Sequence, residues 1–239
     1  MSDIISPNHI VPTNKLPMGY SAAAFADASE VPVARRSEMM EEMNAIIAKN
    51  WILYEPHWTS SRTPFEREFG IILLYFHNKI IAFSVYKRFR IGGMLALYRS
   101  GSEVLPQHQG RGLYHFLTAT SIELTASDLQ PEESEILYAW RTRNPIIWAA
   151  NSKICSRLVP SLHDGVEDGE LQEAATEICG ALYPGQILET PAMIMRGCYD
   201  HIIHRGQKSR GTVAMIQDVI EREIPDPRDA LFSVGIVRL

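Results

Sequence analysis

The stretch Val104–Leu117, VLPQHQGRGLYHFL, sets the reading of the chain. Ahead of it lies MLALYRSGSEVL, where Leu95, Leu97 and Tyr98 form a strand-like apolar run. Behind it Leu113, Phe116, Leu117, Thr120 and Leu124 recur at helical spacing. Between them stand Gly110, Arg111 and Gly112. Glycine costs a helix conformational entropy, so two glycines here point to a turn that needs bare backbone. A strand entering a helix through Gly-x-Gly aims several amide N–H groups at one spot, and the helix dipole adds positive potential there. Such a turn suits phosphate. It is not a nucleotide-hydrolase loop, because no Gly-Lys-Ser/Thr follows. It is not the dinucleotide fingerprint either, because the third glycine and the acidic partner are missing.

Working outward, the elements alternate. Gly19–Asp27 reads as a first strand and RRSEMMEEMNAIIAKN as a helix, with Met39, Met43, Ile46 and Ile47 on its core face. ILYEPHWTSSRTPFEREF is turn-rich. IILLYFHNKIIAFSVYKRFRI reads as a hairpin turning at His77-Asn78-Lys79. Its YKRFR end is expected to be solvated. The strand before Gly110 and the helix to about Asp128 follow. Then come a strand at EILYAWRT, a short helix begun by Pro145, and a helix carrying Leu171, Ala174, Ala175 and Ile178. A strand at PAMIMRGCYD, a helix at GTVAMIQDVIERE and a final strand at ALFSVGIVRL complete the series. This order predicts an α/β fold with a mixed, mostly antiparallel central sheet flanked by helices. Residues 1–18, with Pro7, Pro12 and Pro17, read as an extended arm; residues 19–239 read as a single domain.

Bulk properties narrow the function. Of 239 residues, 46% are hydrophobic and 21% charged, which suits a packed core rather than disorder. The net charge of −5 leaves no basic footprint for nucleic acid. The N-terminus lacks the charged start and apolar run of a signal peptide, and no stretch is long enough to span a bilayer, so a cytoplasmic protein is expected. Cys155, Cys179 and Cys198 are widely spaced and odd in number, which reads as three reduced core thiols. His201 and His204, and the pair His163-Asp164, lack a third ligand at motif spacing, so no metal is expected. No Gly-x-Ser-x-Gly elbow is present.

The central stretch resembles the acetyl-CoA signature of the GNAT acyltransferases, Val-x-Pro-x-aromatic-Gln/Arg-Gly-x-Gly-x-Gly/Ala. Val104 and Pro106 place Gln109 at the Gln/Arg position and Gly112 at the central glycine, with Tyr114 where the family has Gly or Ala. The resemblance implies a GNAT fold and acetyl-CoA or another acyl-CoA as co-substrate. It implies backbone pairing of Ser102, Glu103 and Val104 with the pantetheine arm. It also implies a pyrophosphate cradle formed by Gln109, Gly110, Arg111, Gly112, Leu113, Tyr114 and His115. Asn144 matches the family's Asn after the fifth strand, and it also suits a helix N-cap before Pro145. The family's base and acid positions hold Ala139 and Asn151, so neither group carries over. Glu103 is then the first candidate for general base, with its surface alternative left open. Tyr98, Tyr138 and His115 follow.

The implied activity is N-acylation of a small-molecule or peptide amine by direct attack on the thioester. The alternative is a non-catalytic module of the same fold that binds CoA or senses a ligand. No nucleic acid or membrane partner is implied, and a homodimer is compatible. The segment from Pro160 to Thr190, longer than the family minimum, suits a larger acyl or substrate pocket.

Overall fold

The computed structural model describes residues 16–162, 165, 167–205 and 212–239. Most of the expected N-terminal arm, and His163-Asp164, lie outside them. The described chain is a mixed α/β fold with a mostly antiparallel central sheet flanked by helices. It divides into two compact units: residues 1–88 with 99–128, and residues 89–98 with 129–239.

The first unit begins with β1 (Tyr20–Phe25), α1 (Val33–Asn50) and β2 (Trp51–Leu53). It continues with β3 (Phe69–Phe76), most of β4 (Lys79–Ile91), the later half of β5 (Met94–Val104) and α2 (Leu113–Ala126). Its strands run in the order β1-β3-β4-β5. β1 and β4 both pair antiparallel with β3. The β3–β4 hairpin turns through His77 and Asn78, whose φ angles of 51° and 60° are left-handed. Two left-handed central residues give a turn whose twist matches the strands, and Asn tolerates that conformation. Apolar runs on β3 and β4 bury Ile71, Ile72, Leu73, Leu74 and Phe83 completely. α1 adds Met39, Met43, Ile46 and Ile47, the face read from the sequence.

The second unit contains the start of β5, then β6 (Glu135–Thr142), α3 (Pro145–Ser152), β7 (Arg157–Val159) and α4 (Gly169–Leu182). It ends with β8 (Leu188–Glu189), β9 (Ile194–Met195), β10 (Ile202–His204), α5 (Thr212–Glu223) and β11 (Ala230–Arg238). Strand order is β5-β6-β11-β9-β8, with β7 also on β11. β6 and β11 pair antiparallel along their whole lengths, from Leu231 opposite Thr142 to Arg238 opposite Glu135. One core joins Leu137, Ala139, Phe232, Val234 and Ile236 of this pair to Leu171, Ala175, Ile178 and Cys179 of α4. Burying these side chains is the main favourable term, at roughly 1.5–3 kcal/mol for each large aliphatic residue.

Three expectations need correction. PAMIMRGCYD is not a continuous strand. Only Ile194–Met195 is extended, because Met193 before it is left-handed (φ 57°) and Gly197 after it turns the chain (φ 61°). The YKRFR run is the end of β4, as read, but it is solvated only in part: Tyr86 is fully buried, half-buried Arg88 pairs with Asp128 at 2.6 Å, and exposed Arg90 pairs with Glu133. The short strands β2, β7, β8 and β10 were not legible, since two or three residues carry no period. The three cysteines form no disulfide, but only Cys179 is buried; Cys155 and Cys198 are half-buried, so the expectation of three core thiols holds for one. Among the described residues, no helix is long and apolar enough to cross a membrane.

Candidate active site

The Gly-x-Gly turn forms as its composition requires. After β5 the chain makes a single 3₁₀ turn at Pro106–His108, then bends through Gly110 and Gly112. Their φ angles are 74° and 77°, a region that costs an L-residue roughly 1–2 kcal/mol. Gly112 is the N-cap of α2 and has no side chain to cap with. The first helical bond runs from Phe116 N to Gly112 O at 3.0 Å. The N–H groups of Leu113, Tyr114 and His115 precede that bond and point out of the helix end. A Cβ built on Gly110 or Gly112 would meet nothing within 4 Å. The turn is therefore an open, amide-lined surface at a positive helix end. Arg111 and His115 are exposed on it, Leu113 is buried beneath it, and the Arg99 guanidinium lies 5.6 Å from the Tyr114 ring centre.

His108 stands beside the turn and bonds to the Tyr20 hydroxyl at 2.8 Å. Burial, and then the Arg111 charge, lower its pKa.

At the end of β5, alternation places Ser102 and Val104 inward and Glu103 on the other face. The Ser102 hydroxyl bonds to that of Ser84 at 2.7 Å. Glu103 is held from both sides: Asn50 Nδ2 donates to Oε2 at 2.6 Å and Trp51 Nε1 donates to Oε1 at 2.7 Å. Burial raises the Glu103 pKa, while the Trp51 and Asn50 hydrogen bonds and the Arg99 charge pull the other way. So Glu103 is not a free surface carboxylate. Each oxygen keeps one further acceptor position. The Val104 carbonyl accepts from Asn50 Nδ2 at 3.1 Å and from Gln109 Nε2 at 3.0 Å. Gln109 thus folds back onto the strand end, and it also donates to Asn50 Oδ1 at 3.2 Å.

These residues gather in the first unit: Ser102, Glu103, Val104, Gln109 and the Gly110–His115 turn. The other expected residues lie in the second unit. Asn144 caps α3, its Oδ1 accepting from Ile146 N at 2.9 Å, and its Nδ2 lies 3.4 Å from His204 Nε2. Tyr138 is buried in β6 with its ring 5.1 Å from that of Trp140. Tyr98 is buried, its hydroxyl bonds to that of Tyr183, and burial is the main cause of its strongly raised pKa. Ala139 and Asn151 are both buried and supply no acid or base.

No family model matches the chain. No curated protein matches it either. Among solved structures it is similar to the ribosomal-protein-S18-alanine N-acetyltransferase from Escherichia coli (13% identity, 62% of this chain and 88% of that one, TM-score 0.41). It is similar to the GNAT domain of S. lividans PAT (12% identity, 61% and 86% covered, TM-score 0.42). It is also similar to yncA, a putative acetyltransferase from Salmonella typhimurium with its cofactor acetyl-CoA (14% identity, 62% and 86% covered, TM-score 0.39). Acetyltransferases, GNAT-family ones among them, recur across the similar structures. All three TM-scores lie below 0.5, so the likeness assigns no chemistry to this chain.

Reading the sequence missed Asn50 and Trp51. They sit 53 and 52 residues before Glu103, and no local spacing links them to it. It also missed Arg141, Tyr183 and Tyr199, which the fold gathers around Tyr98.

Proposed function

We propose that the chain is a GNAT-type N-acyltransferase that uses acetyl-CoA or another acyl-CoA. The observation that carries this is the open Gly110–Gly112 turn, with two left-handed glycines and a helix N-terminus directly after strand β5. It fits the Val104–Tyr114 signature read from the sequence. The amides of this turn would hold the pyrophosphate, and exposed Arg111 would add a charge-assisted contact.

A bound thioester would supply an activated acyl carbon; the amine nitrogen bonds to it as the C–S bond breaks and CoA leaves as a thiolate, which takes a proton from water. Glu103 would take the proton that the amine must lose. Its burial keeps the carboxylate basic, and Asn50 and Trp51 fix its orientation. The Val104 carbonyl would serve the pantetheine arm once Gln109 swings away. The acceptor is an amine on a small molecule or peptide.

The experiment is native mass spectrometry of the purified chain, followed by thiol release from acetyl-CoA with a panel of amines. A co-purified CoA thioester and amine-dependent thiol release are expected. Binding without release would identify the non-catalytic sensing module. Absence of both would end the reading.

A further inference from the structure

Arg141 lies on β6, on the same face as Leu137 and Ala139, and is partly buried. Its guanidinium sits 5.0 Å from the Tyr183 ring centre and 4.7 Å from that of Tyr199. One of its nitrogens, Nη1, donates to the Cys198 carbonyl at 3.1 Å. A guanidinium has five N–H donors, and among the described residues this one forms no ion pair with any carboxylate. Arg88, also half-buried near a strand end, has its carboxylate, Asp128.

Around Arg141 the polar groups are neutral. Tyr98 and Tyr183 share a hydroxyl–hydroxyl hydrogen bond, and Cys179 and Cys198 are thiols whose pKa values burial raises. Burying a cation without a counter-ion is costly. Two aromatic faces offset part of that cost and hold the guanidinium plane in place. What remains is a rigid fork with unused donors beside a tyrosine hydroxyl pair. Arg141 and Tyr183 both keep part of their surface in solvent, so a small anion has access. A planar fork between ring faces matches a planar, two-oxygen anion.

We propose that Arg141, framed by Tyr183 and Tyr199, is the receptor for a small carboxylate ligand. The site rests on the arrangement around Arg141. The carboxylate would take a bidentate pair from the guanidinium, and the Tyr183 hydroxyl would donate to one oxygen.

The test uses the full chain and three probes: benzoate, neutral benzamide and phenylphosphonate. Binding is read from the Arg141 Nε–Hε cross-peak in ¹⁵N-edited NMR, assigned by its loss in Arg141→Lys. Benzoate is expected to shift that peak and saturate, with benzamide at least tenfold weaker. Tyr183→Phe, which keeps the ring, should weaken benzoate severalfold, so a folding failure of the Arg141 variant does not decide the matter. No shift with benzoate, or equal binding of benzamide, overturns the site. Tighter binding of phenylphosphonate overturns the carboxylate assignment.

Discussion

His204 sets a measurable loss of stability in mild acid. Its ring is largely buried at the end of β10, and Nε2 lies 3.4 Å from the Asn144 amide nitrogen. Burial, and then the Arg143 charge, lower its pKa from 6.5 to about 4. The unfolded chain therefore takes up a proton near pH 6.5, whereas the folded chain resists until about pH 4. The stabilisation is fully present above pH 6.5 and is lost as pH falls towards 4. Between pH 7.5 and pH 5 the unfolded state gains about 2 kcal/mol of proton binding that the folded state lacks, at roughly 1.4 kcal/mol per pH unit below 6.5. Solvent reaching the exposed edge of the ring makes this an upper figure. The perturbation is His204→Gln, which does not titrate and still offers an acceptor to Asn144. Urea unfolding of both proteins at pH 7.5 and pH 5 isolates the effect, since every other titrating group is common to the two. The wild type should lose up to about 2 kcal/mol more than the variant over that interval. Equal losses would show that His204 is not held neutral by its surroundings.

Glu103→Gln should lower turnover by roughly a hundredfold, the scale of a lost general base. It should also flatten the acidic limb of the pH–rate profile, because the raised Glu103 pKa means that the active carboxylate form is gained only as pH rises above 4.5. Thiol-release kinetics from pH 4.5 to 8 check both. Gly70→Ala should destabilise the first unit by roughly 1–3 kcal/mol, the usual cost of overpacking. A Cβ there would sit 2.1 Å from Cζ of the fully buried Tyr86 opposite it, and the Tyr86 ring must shift; the thermal midpoint reads this directly.

Elements with a strong period were legible in the sequence. α1 follows from Met39, Met43, Ile46 and Ile47, and the β3–β4 hairpin follows from two apolar runs meeting at His77-Asn78. The Gly110–Gly112 turn was legible because glycine has a conformational meaning that other residues lack. The partners of Glu103 were not, because a hydrogen bond across more than fifty residues is a product of the fold and leaves no local pattern. The same holds for Arg141, Tyr183 and Tyr199, whose ring contacts join β6 to the chain after α4 and after β9. PAMIMRGCYD misled because its apolar composition favours a strand while Met193 and Gly197 turn the backbone.

The central claim is that the Gly110–Gly112 turn binds the pyrophosphate of CoA. Calorimetric titration of CoA into the wild type and into Gly112→Glu tests it most directly. The variant places a carboxylate, and a strained left-handed residue, where φ is 77° and the surface is otherwise open. A folded Gly112→Glu, checked by circular dichroism, should bind CoA at least a hundredfold more weakly than the wild type. No binding to the wild type, or equal affinity in the two proteins, would contradict the claim.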